Sequence, residues 1–295
     1  SSDLYKKQED SSTMMRSLYT AASGMLAEQL NTDNIAHNLS NVNTTGFKQS
    51  RIEFQDLFYQ TLKEAGTPIS TGTSIPVPLQ VGLGVRPVAE QKIFTQGNIV
   101  QTEHQYDLAI EGEGFYQIRL PNGEIAYSRD GSFKIDSEGD IVTANGHYIE
   151  PPLNVPDDTI RFNVTQEGNV TVNLPGQVDP QEIGEVELVR FVNPAGLNRV
   201  GDNLYVETAA SGPPIPGQPT LEGFGSIRQG FLEQSNVKIV DEMVNLIVAQ
   251  RAYEVNSKVY RLRTICSVLQ TTSSGNPRMR PPRRAGLPRF RPRRM

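Results

Sequence analysis

Apolar residues recur at helical spacing through the segment from Ser17 to Ser50. The stripe follows the i, i+4, i+7 pattern of a helix with one buried face and consists of Leu18, Ala22, Met25, Leu26, Leu30, Ile35, Leu39 and Val42. The residues Asn43-Thr44-Thr45-Gly46 predict the end of the helix, with Gly46 in a left-handed conformation. An ordinary amphipathic core helix with a polar end would have a similar pattern.

Four asparagines form a second line beside this stripe, at 3-4-3 spacing: Asn31, Asn34, Asn38 and Asn41. Asn is a poor residue inside a helix because its short amide competes for backbone hydrogen bonds. Four of them on one face therefore predict side-chain amides that bond to neighbouring helices.

A matching pattern lies near the other end of the chain. Ile239, Met243, Leu246, Gln250 and Tyr253 follow 4-3-4-3 spacing, flanked by Val240, Val244 and Ile247. The long segment between the two stripes has no helical pattern. The sequence therefore predicts an α+β fold in which the terminal helices pair as a coiled-coil-like unit around a central all-β domain. Such ends suit a subunit that polymerises, although two helices packed on the central domain would also fit.

The central region, 88–230, consists of short β-like runs separated by turn residues. The runs are DLAI, FYQIRL, FKID, IVT, IRFNV, NVTVNL, VELVRF and NLYVE. Pairs such as Asn122-Gly123 and Asn145-Gly146 are typical of hairpin turns. The preceding segment, 47–87, is rich in Pro and Gly after Leu62 and predicts an extended arm or hairpin, with a flexible linker left open.

Few residues in the chain suggest chemistry. The three histidines, His37, His104 and His147, are scattered, and the lone Cys266 allows no disulfide framework. Asp130, Asp136 and Asp140 lack the spacing of a calcium loop. Gly112 and Gly114 are too few for a nucleotide loop. We therefore expect no enzyme activity, no catalytic residues, no cofactor and no metal site.

Six stretches together resemble the bacterial flagellar rod and hook family, and the distal-rod members fit best. They are SLYTAASGMLAEQLNTDNIAHNLSNVNTTGFKQSR, VGLGVRPV, QGNIVQTEHQYDLAIEGEGFYQI, YSRDGSFKID, GSIRQGFLEQSNV and EMVNLIVAQRAYEVNSK. The resemblance covers about Met15 to Lys258. It implies a structural subunit of the distal rod that self-assembles into a helical tube and transmits torque from motor to hook. In that tube the paired helices would form the inner layer, and the arm at 47–87 would bridge neighbouring subunits.

The resemblance also implies partners and a location. The partners would be further copies of the chain, the proximal rod, hook and ring proteins, and the flagellar export apparatus. The location would be the periplasmic part of the basal body, reached without a cleavable signal peptide. A proximal rod or hook protein of the same family remains an alternative, as does a secreted β-domain binding or adhesin module.

The helices of such a tube would supply the subunit interface. On this basis we expect fifteen interface residues: Leu18, Ala22, Met25, Asn31, Asn34, Ile35, Asn38, Leu39, Asn41, Val42, Ile239, Met243, Leu246, Gln250 and Tyr253.

The end of the chain departs from the family pattern at residue 259. Family members continue after Asn-Ser-Lys-Val with a sequence similar to IQTADNMLGTANNLKR. Codons for that sequence, read one nucleotide later, encode YRLRTICSVLQTTSS, which is identical to Tyr260–Ser274. We therefore predict a one-nucleotide frameshift near codon 259, with 231–258 as the C-terminal helix and 259–295 as an out-of-frame tail.

The beginning of the chain also differs from the family. The family-like sequence starts at Met14 or Met15, so we predict that 1–14 is a non-native or untranslated leader and that the N-terminal helix is 15–46. Residues 1–258 have 18 Lys and Arg against 33 Asp and Glu, a net charge of −15 rather than the −5 of the whole chain. This acidic body argues against nucleic-acid binding. The apolar runs are shorter than the ~20 residues of a membrane span, so no membrane insertion is expected.

Overall fold

The computed structural model describes residues 2–65, 68–70, 73–74, 76–176 and 179–273. The architecture is α+β, with a helix toward each end and β structure between them. The chain forms two compact units. Unit 1 comprises Ser1–Met25, Phe58–Gly84 and Glu254–Met295, and unit 2 comprises Leu26–Leu57 and Val85–Tyr253.

The two helices are α1, Ser2–Ser40, and α2, Ile239–Ser273. α1 ends before the predicted residue 46 because the backbone turns from Asn41 onward, and Gly46 has the predicted left-handed conformation with φ of +66°. At its other end α1 includes residues of the predicted leader.

The second helix also differs from the predicted segment at both ends. α2 begins at Ile239 rather than 231, because Phe231–Glu233 pairs as a strand with Ile99–Gln101. It continues past residue 258 to Ser273, and the rest of the predicted out-of-frame tail lies outside the described residues. Over its described residues neither helix is long and apolar enough to span a membrane.

The described residues contain twenty-two strands, most of them short. They are β1 Ser50–Asp56, β2 Tyr59–Lys63, β3 Pro68–Ser70, β4 Thr73–Ser74, β5 Leu79–Gly82, β6 Val85–Lys92, β7 Ile99–Gln101, β8 Leu108–Glu111, β9 Phe115–Arg119, β10 Ile125–Ser128, β11 Lys134–Ile135, β12 Ile141–Val142, β13 Tyr148–Glu150, β14 Arg161–Val164, β15 Asn169–Asn173, β16 Gln181–Glu185, β17 Leu188–Arg190, β18 Asn198–Gly201, β19 Leu204–Val206, β20 Ile215–Gly217, β21 Ser226–Gln229 and β22 Phe231–Glu233. Each of the eight β-like runs in the sequence overlaps one of these strands.

The segment 47–87 contains paired strands among its described residues. In unit 1, β2 pairs antiparallel with β5, and β3 pairs with β4. In unit 2, β1 pairs antiparallel with β6 from Ser50↔Lys92 to Asp56↔Val85. These antiparallel pairings are those of hairpins.

The main sheet of unit 2 has nine strands, with β9 near its centre. Its order is β11-β12-β13-β9-β10-β19-β18, and β17 pairs with both β9 and β20. A separate three-stranded sheet has the order β14-β15-β16. Two further pairs, β8 with β21 and β7 with β22, bring the start of the β region together with the residues just before α2.

Two apolar clusters form the core of unit 2. The larger one includes Leu108, Tyr116, Ile118, Val170 and Leu188, all almost fully buried. The smaller one is aromatic, and edge-to-face contacts join its rings, which include Phe115, Phe191 and Tyr205. Burial of this much apolar area gives the β region its own stable core.

Candidate assembly interface

The predicted interface residues on α1 and the turn after it differ in their burial. Ile35 and Asn38 are buried within the single chain, and Ala22 is exposed. The others are half-buried, namely Leu18, Met25, Asn31, Asn34, Leu39, Asn41 and Val42. Ile35 and Asn38 therefore already pack within unit 2, while the rest retain surface that another molecule could cover.

The inner members of the asparagine line bond mainly to strand β1. Asn34 Nδ2 and Asn38 Nδ2 each donate to the Ser50 carbonyl at 2.8 Å, and Asn38 Oδ1 accepts from Ser50 N at 3.0 Å. Asn38 Nδ2 also lies 3.4 Å from Glu242 Oε2 on α2. The expected bond to a neighbouring helix is therefore present at Asn38, but the shorter bonds join α1 to β1.

The outer members of the line find partners on α1 itself. Asn31 Nδ2 lies 3.4 Å from Glu28 Oε2, and Asn41 Nδ2 donates to the His37 carbonyl at 2.9 Å. Within the single chain these two amides therefore bond to residues three and four positions back on α1, a spacing that places side chains and carbonyls of a helix within reach of each other.

On α2 the predicted stripe points largely away from the chain. Ile239, Met243, Gln250 and Tyr253 are exposed, and Leu246 is half-buried. The residues of α2 that the chain buries are instead Glu242 and Ala249.

Small residues on α1 allow α2 to approach closely in unit 1. A Cβ atom placed on Gly24 would lie 2.9 Å from Asn256 Nδ2, and Ala21 is buried one turn earlier. In unit 2, Ala27 is buried in the same way. Ala21 and Ala27 are therefore buried by the chain, while the larger Tyr19 and Leu26 are exposed.

A series of large apolar residues on α2 is exposed within unit 2, and we term it the exposed helical surface. It consists of Ile239, Val240, Met243, Val244, Ile247, Val248 and Tyr253. Leu26 of α1 is also exposed in unit 2, and Met15, Tyr19 and Val255 are exposed in unit 1. Scattered exposed apolar residues are ordinary, but such a series on one helix is typical of an interaction site.

Two short segments of unit 2 connect the helices to the β strands. Residues 44–50 follow α1 and residues 233–238 precede α2, and we term these two segments with Arg129 the junction. Asn236 bonds across it, accepting from Gln49 N at 2.7 Å and donating to the Ile93 carbonyl at 2.8 Å. Gln49 Nε2 in turn donates to Glu242 Oε1 at 2.7 Å, which joins the junction to the first turn of α2.

A buried carboxylate with two cations lies at the centre of the junction. Lys48 Nζ is 2.6 Å from Glu233 Oε1, and Arg129 Nε is 3.1 Å from Glu233 Oε2. The three side chains are only 1%, 4% and 0% exposed for Lys48, Arg129 and Glu233. Burial, and then the charge of Arg129, lowers the pKa of Lys48 to about 8 despite the nearby carboxylate.

Backbone groups complete the junction. Gly97 N donates to Glu233 Oε1 at 2.8 Å, and Gly46 N donates to the Glu233 carbonyl at 2.8 Å. A Cβ atom at Gly46 would lie 2.6 Å from Asp130 N, so only glycine allows this approach. The periodicity of the sequence did not predict the junction. The sequence feature that could have indicated it is a charged residue within each of two motifs, Lys48 in TGFKQS and Glu233 in FLEQSNV.

A second buried lysine, Lys92, predicts how the stability of the folded chain changes with pH. Burial, and then the nearby Arg199, lowers the pKa of Lys92 from 10.5 to about 8. The unfolded chain therefore binds more protons than the folded chain between about pH 8 and 10, so this group makes stability rise with pH there. Above that range the raised pKa of Tyr205, about 12, works in the opposite direction.

We expect Lys92→Met to remove part of this rise. The free energy of unfolding, measured by urea denaturation at several pH values from neutral to about 9.5, should increase less with pH in the variant than in the wild-type chain. An equal increase in the free energy of unfolding with pH in the two proteins would contradict this role of Lys92.

Comparison with known proteins relates the helices and the β region to one family. The model described as flagella basal body rod protein matches residues 18–48. The model described as flagellar hook protein FlgE/F/G D1 domain matches residues 109–172, and the one described as flagellar basal body rod FlgEFG protein C-terminal matches residues 228–261. The flagellar basal-body rod protein FlgG of Borreliella burgdorferi is 54% identical over 247 residues, which cover 83% of this chain and 93% of that protein. The chain belongs to the flagellar basal-body rod protein family.

Two relatives from one organism, named FlgG and FlgF, allow the similarity to two members of this family to be compared. FlgG of Caulobacter vibrioides is 45% identical over 260 residues, covering 88% of this rod protein and 98% of the relative. FlgF of the same organism is 36% identical over 248 residues, covering 83% and 92%. The rod protein is thus more similar to FlgG than to FlgF. The matched segments 18–48 and 228–261 include Lys48 and Glu233 of the junction.

The described residues contain no group of three or more His, Cys, Asp or Glu side chains placed to hold a metal ion. The relatives and the matched domains are structural flagellar proteins rather than enzymes.

Proposed function

We propose that this chain is a structural subunit of the distal rod, which self-assembles into a helical tube and transmits torque from the motor to the hook. Membership of the basal-body rod family and the greater similarity to FlgG support the proposal. The single observation that carries it is the exposed helical surface, because a lone chain leaves these large apolar side chains in water.

The interface in this proposal is formed by the helices of neighbouring copies. The exposed members of the predicted set, Ile239, Met243, Gln250, Tyr253 and Ala22, would contact another subunit directly. A contact between unlike surfaces that does not close on itself extends indefinitely as a filament. Burial of apolar area at each repeat would stabilise that filament.

Within one chain we infer that α1 and α2 pair antiparallel, in a coiled-coil-like manner. In unit 2, Asn38 of α1 bonds to Glu242 of α2, while Asn31 and Ala249 line one groove. The later residue of α1 thus lies beside the earlier residue of α2, which is the order of an antiparallel pair. In unit 1, Gly24 lies close to Asn256, and Ala21 and Val259 line one cavity, which gives the same direction.

The remaining partners and the location are part of the same proposal. We infer contacts with the proximal rod, the hook and the ring proteins, export through the flagellar apparatus without signal cleavage, and a periplasmic position in the basal body. We also infer that the paired strands within 47–87 bridge neighbouring subunits. Exposed apolar side chains there, such as Phe58 and Leu79, support a contact role.

Electron microscopy of a deletion strain tests the function. Basal bodies isolated from cells without this gene should lack the distal rod and the hook. A plasmid copy encoding the protein in the family reading frame should restore both. Intact flagella in the deletion strain would contradict the proposal and would favour a separate binding or adhesin role.

We further infer that the frame changes near codon 259. The family model for the C-terminal region stops matching at residue 261, close to the predicted shift near codon 259, which supports the inference. Resequencing of the locus tests this inference: an unbroken frame that encodes the Arg- and Pro-rich tail would refute it. N-terminal sequencing of the native protein would test the predicted leader at 1–14.

A further inference from the structure

We propose that Lys48 and Arg129, on the two oxygens of Glu233, are positioning residues that keep the junction rigid when the rod bears load. The inference rests on the proposed function, because only a torque-bearing subunit experiences that load. Nothing in the rod family match assigns a role to these three side chains.

The geometry gives each carboxylate oxygen its own cation. Glu233 Oε1 accepts from Lys48 Nζ at 2.6 Å, and Glu233 Oε2 accepts from Arg129 Nε at 3.1 Å. Gly97 N adds a third donor to Oε1. With donors on both oxygens, the carboxylate can neither rotate nor shift without breaking a charge-assisted bond.

The three residues belong to different parts of unit 2. Lys48 lies between α1 and β1, and Glu233 ends β22 just before α2. Arg129 directly follows β10 of the main sheet, and its Nη1 donates to the Gly112 and Gly114 carbonyls at 2.8 and 2.7 Å. The bonds to Glu233 therefore join the segment that follows α1, the strand that precedes α2 and the main sheet at one point.

Stability alone does not account for charged residues here. Two cations and one carboxylate leave one excess positive charge in a buried site, and burial of charges is costly. Apolar residues of similar size can replace buried ion pairs without loss of stability. Apolar contacts are non-directional, however, and allow neighbouring groups to slide. Charge-assisted hydrogen bonds are directional and constrain both distance and angle, which is the property that a load-bearing junction needs.

The substitution Lys48→Met tests the role of Lys48 under load independently of its role in folding. The substitution leaves Arg129 and Glu233 as a balanced pair and fills the space of the lysine stem, so the monomer should melt at the wild-type temperature or above it. Cells with this variant should form hooks in normal number and swim normally in dilute buffer. In medium thickened with methylcellulose, we expect the fraction of rotating flagella to be at least halved relative to wild type.

The control is Lys134→Met, which removes an exposed lysine of β11 in the same unit. It should match the wild type at every viscosity. Rotation of the Lys48→Met strain equal to the control at high viscosity would overturn the inference and leave the proposed function intact. A folded Lys48→Met monomer that builds no rod would also overturn it, since the junction would then act in assembly. Failure of the wild-type gene to restore rods would instead overturn the proposed function.

Discussion

Val244→Glu should abolish rod assembly and leave the monomer folded. Val244 lies on the exposed helical surface of α2 and is 54% exposed in the single chain, so a glutamate there remains solvated before assembly. In the proposed rod, neighbouring helices cover this surface. Burying an unpaired carboxylate at each contact would cost about 3 kcal/mol or more, which corresponds to a loss of more than a hundredfold in subunit association.

The matched control is Val192→Glu, which introduces the same change at a valine that is 79% exposed and lies outside the helices. Both purified monomers should have the wild-type melting temperature. Basal bodies isolated from the two strains should differ, with rods and hooks present in the control and absent in Val244→Glu. Normal rods in the Val244→Glu strain would exclude this part of α2 from the interface. Leu39 and Leu246 are poorer sites for the test because both are half-buried in the monomer.

The periodic patterns in the sequence predicted the elements well and their partners less well. Helical spacing located α1 and α2, and all eight β-like runs overlap strands. Periodicity cannot distinguish a stripe buried within the chain from one buried between chains, because both repeat every three or four residues. On α1 the chain buries small residues such as Ala21 and Ala27, and the larger Tyr19 and Leu26 remain exposed. In unit 1, the close approach of Asn256 to Gly24 leaves little room for a larger side chain at that contact.

The junction could not be predicted from local pattern. Lys48 and Glu233 are 185 residues apart in sequence, and no periodicity relates positions in different elements. The asparagine line illustrates a milder form of the same problem. Its helical spacing was evident, but Asn34 and Asn38 bond to Ser50 because the chain reverses after α1 and returns along it. Such partners depend on the path of the backbone rather than on the helix itself.

Glu233→Gln should be the most destabilising conservative substitution in the junction. The amide is nearly isosteric with the carboxylate, so no cavity forms, but Lys48 and Arg129 lose their common counter-ion while both stay buried. Removing one partner of a buried ion pair costs about 3–5 kcal/mol. Native proteins have about 5–15 kcal/mol of stability, so the variant should lose a large share of the total. Urea denaturation followed by circular dichroism measures the loss.

Glu53→Gln is the surface control for this change. Glu53 is half exposed and lies 3.8 Å from Arg51, an ion pair of the kind that contributes less than about 1 kcal/mol. The decisive comparison is with the double variant Glu233→Gln, Lys48→Met. Removing Lys48 leaves one uncompensated cation instead of two, so the double variant should be more stable than Glu233→Gln alone, although each substitution removes a bond to the same site. If the second substitution instead lowered stability further, the bonds rather than the excess positive charge would dominate the energetics of the junction. The expected stability of Lys48→Met in the load experiment would then be wrong as well.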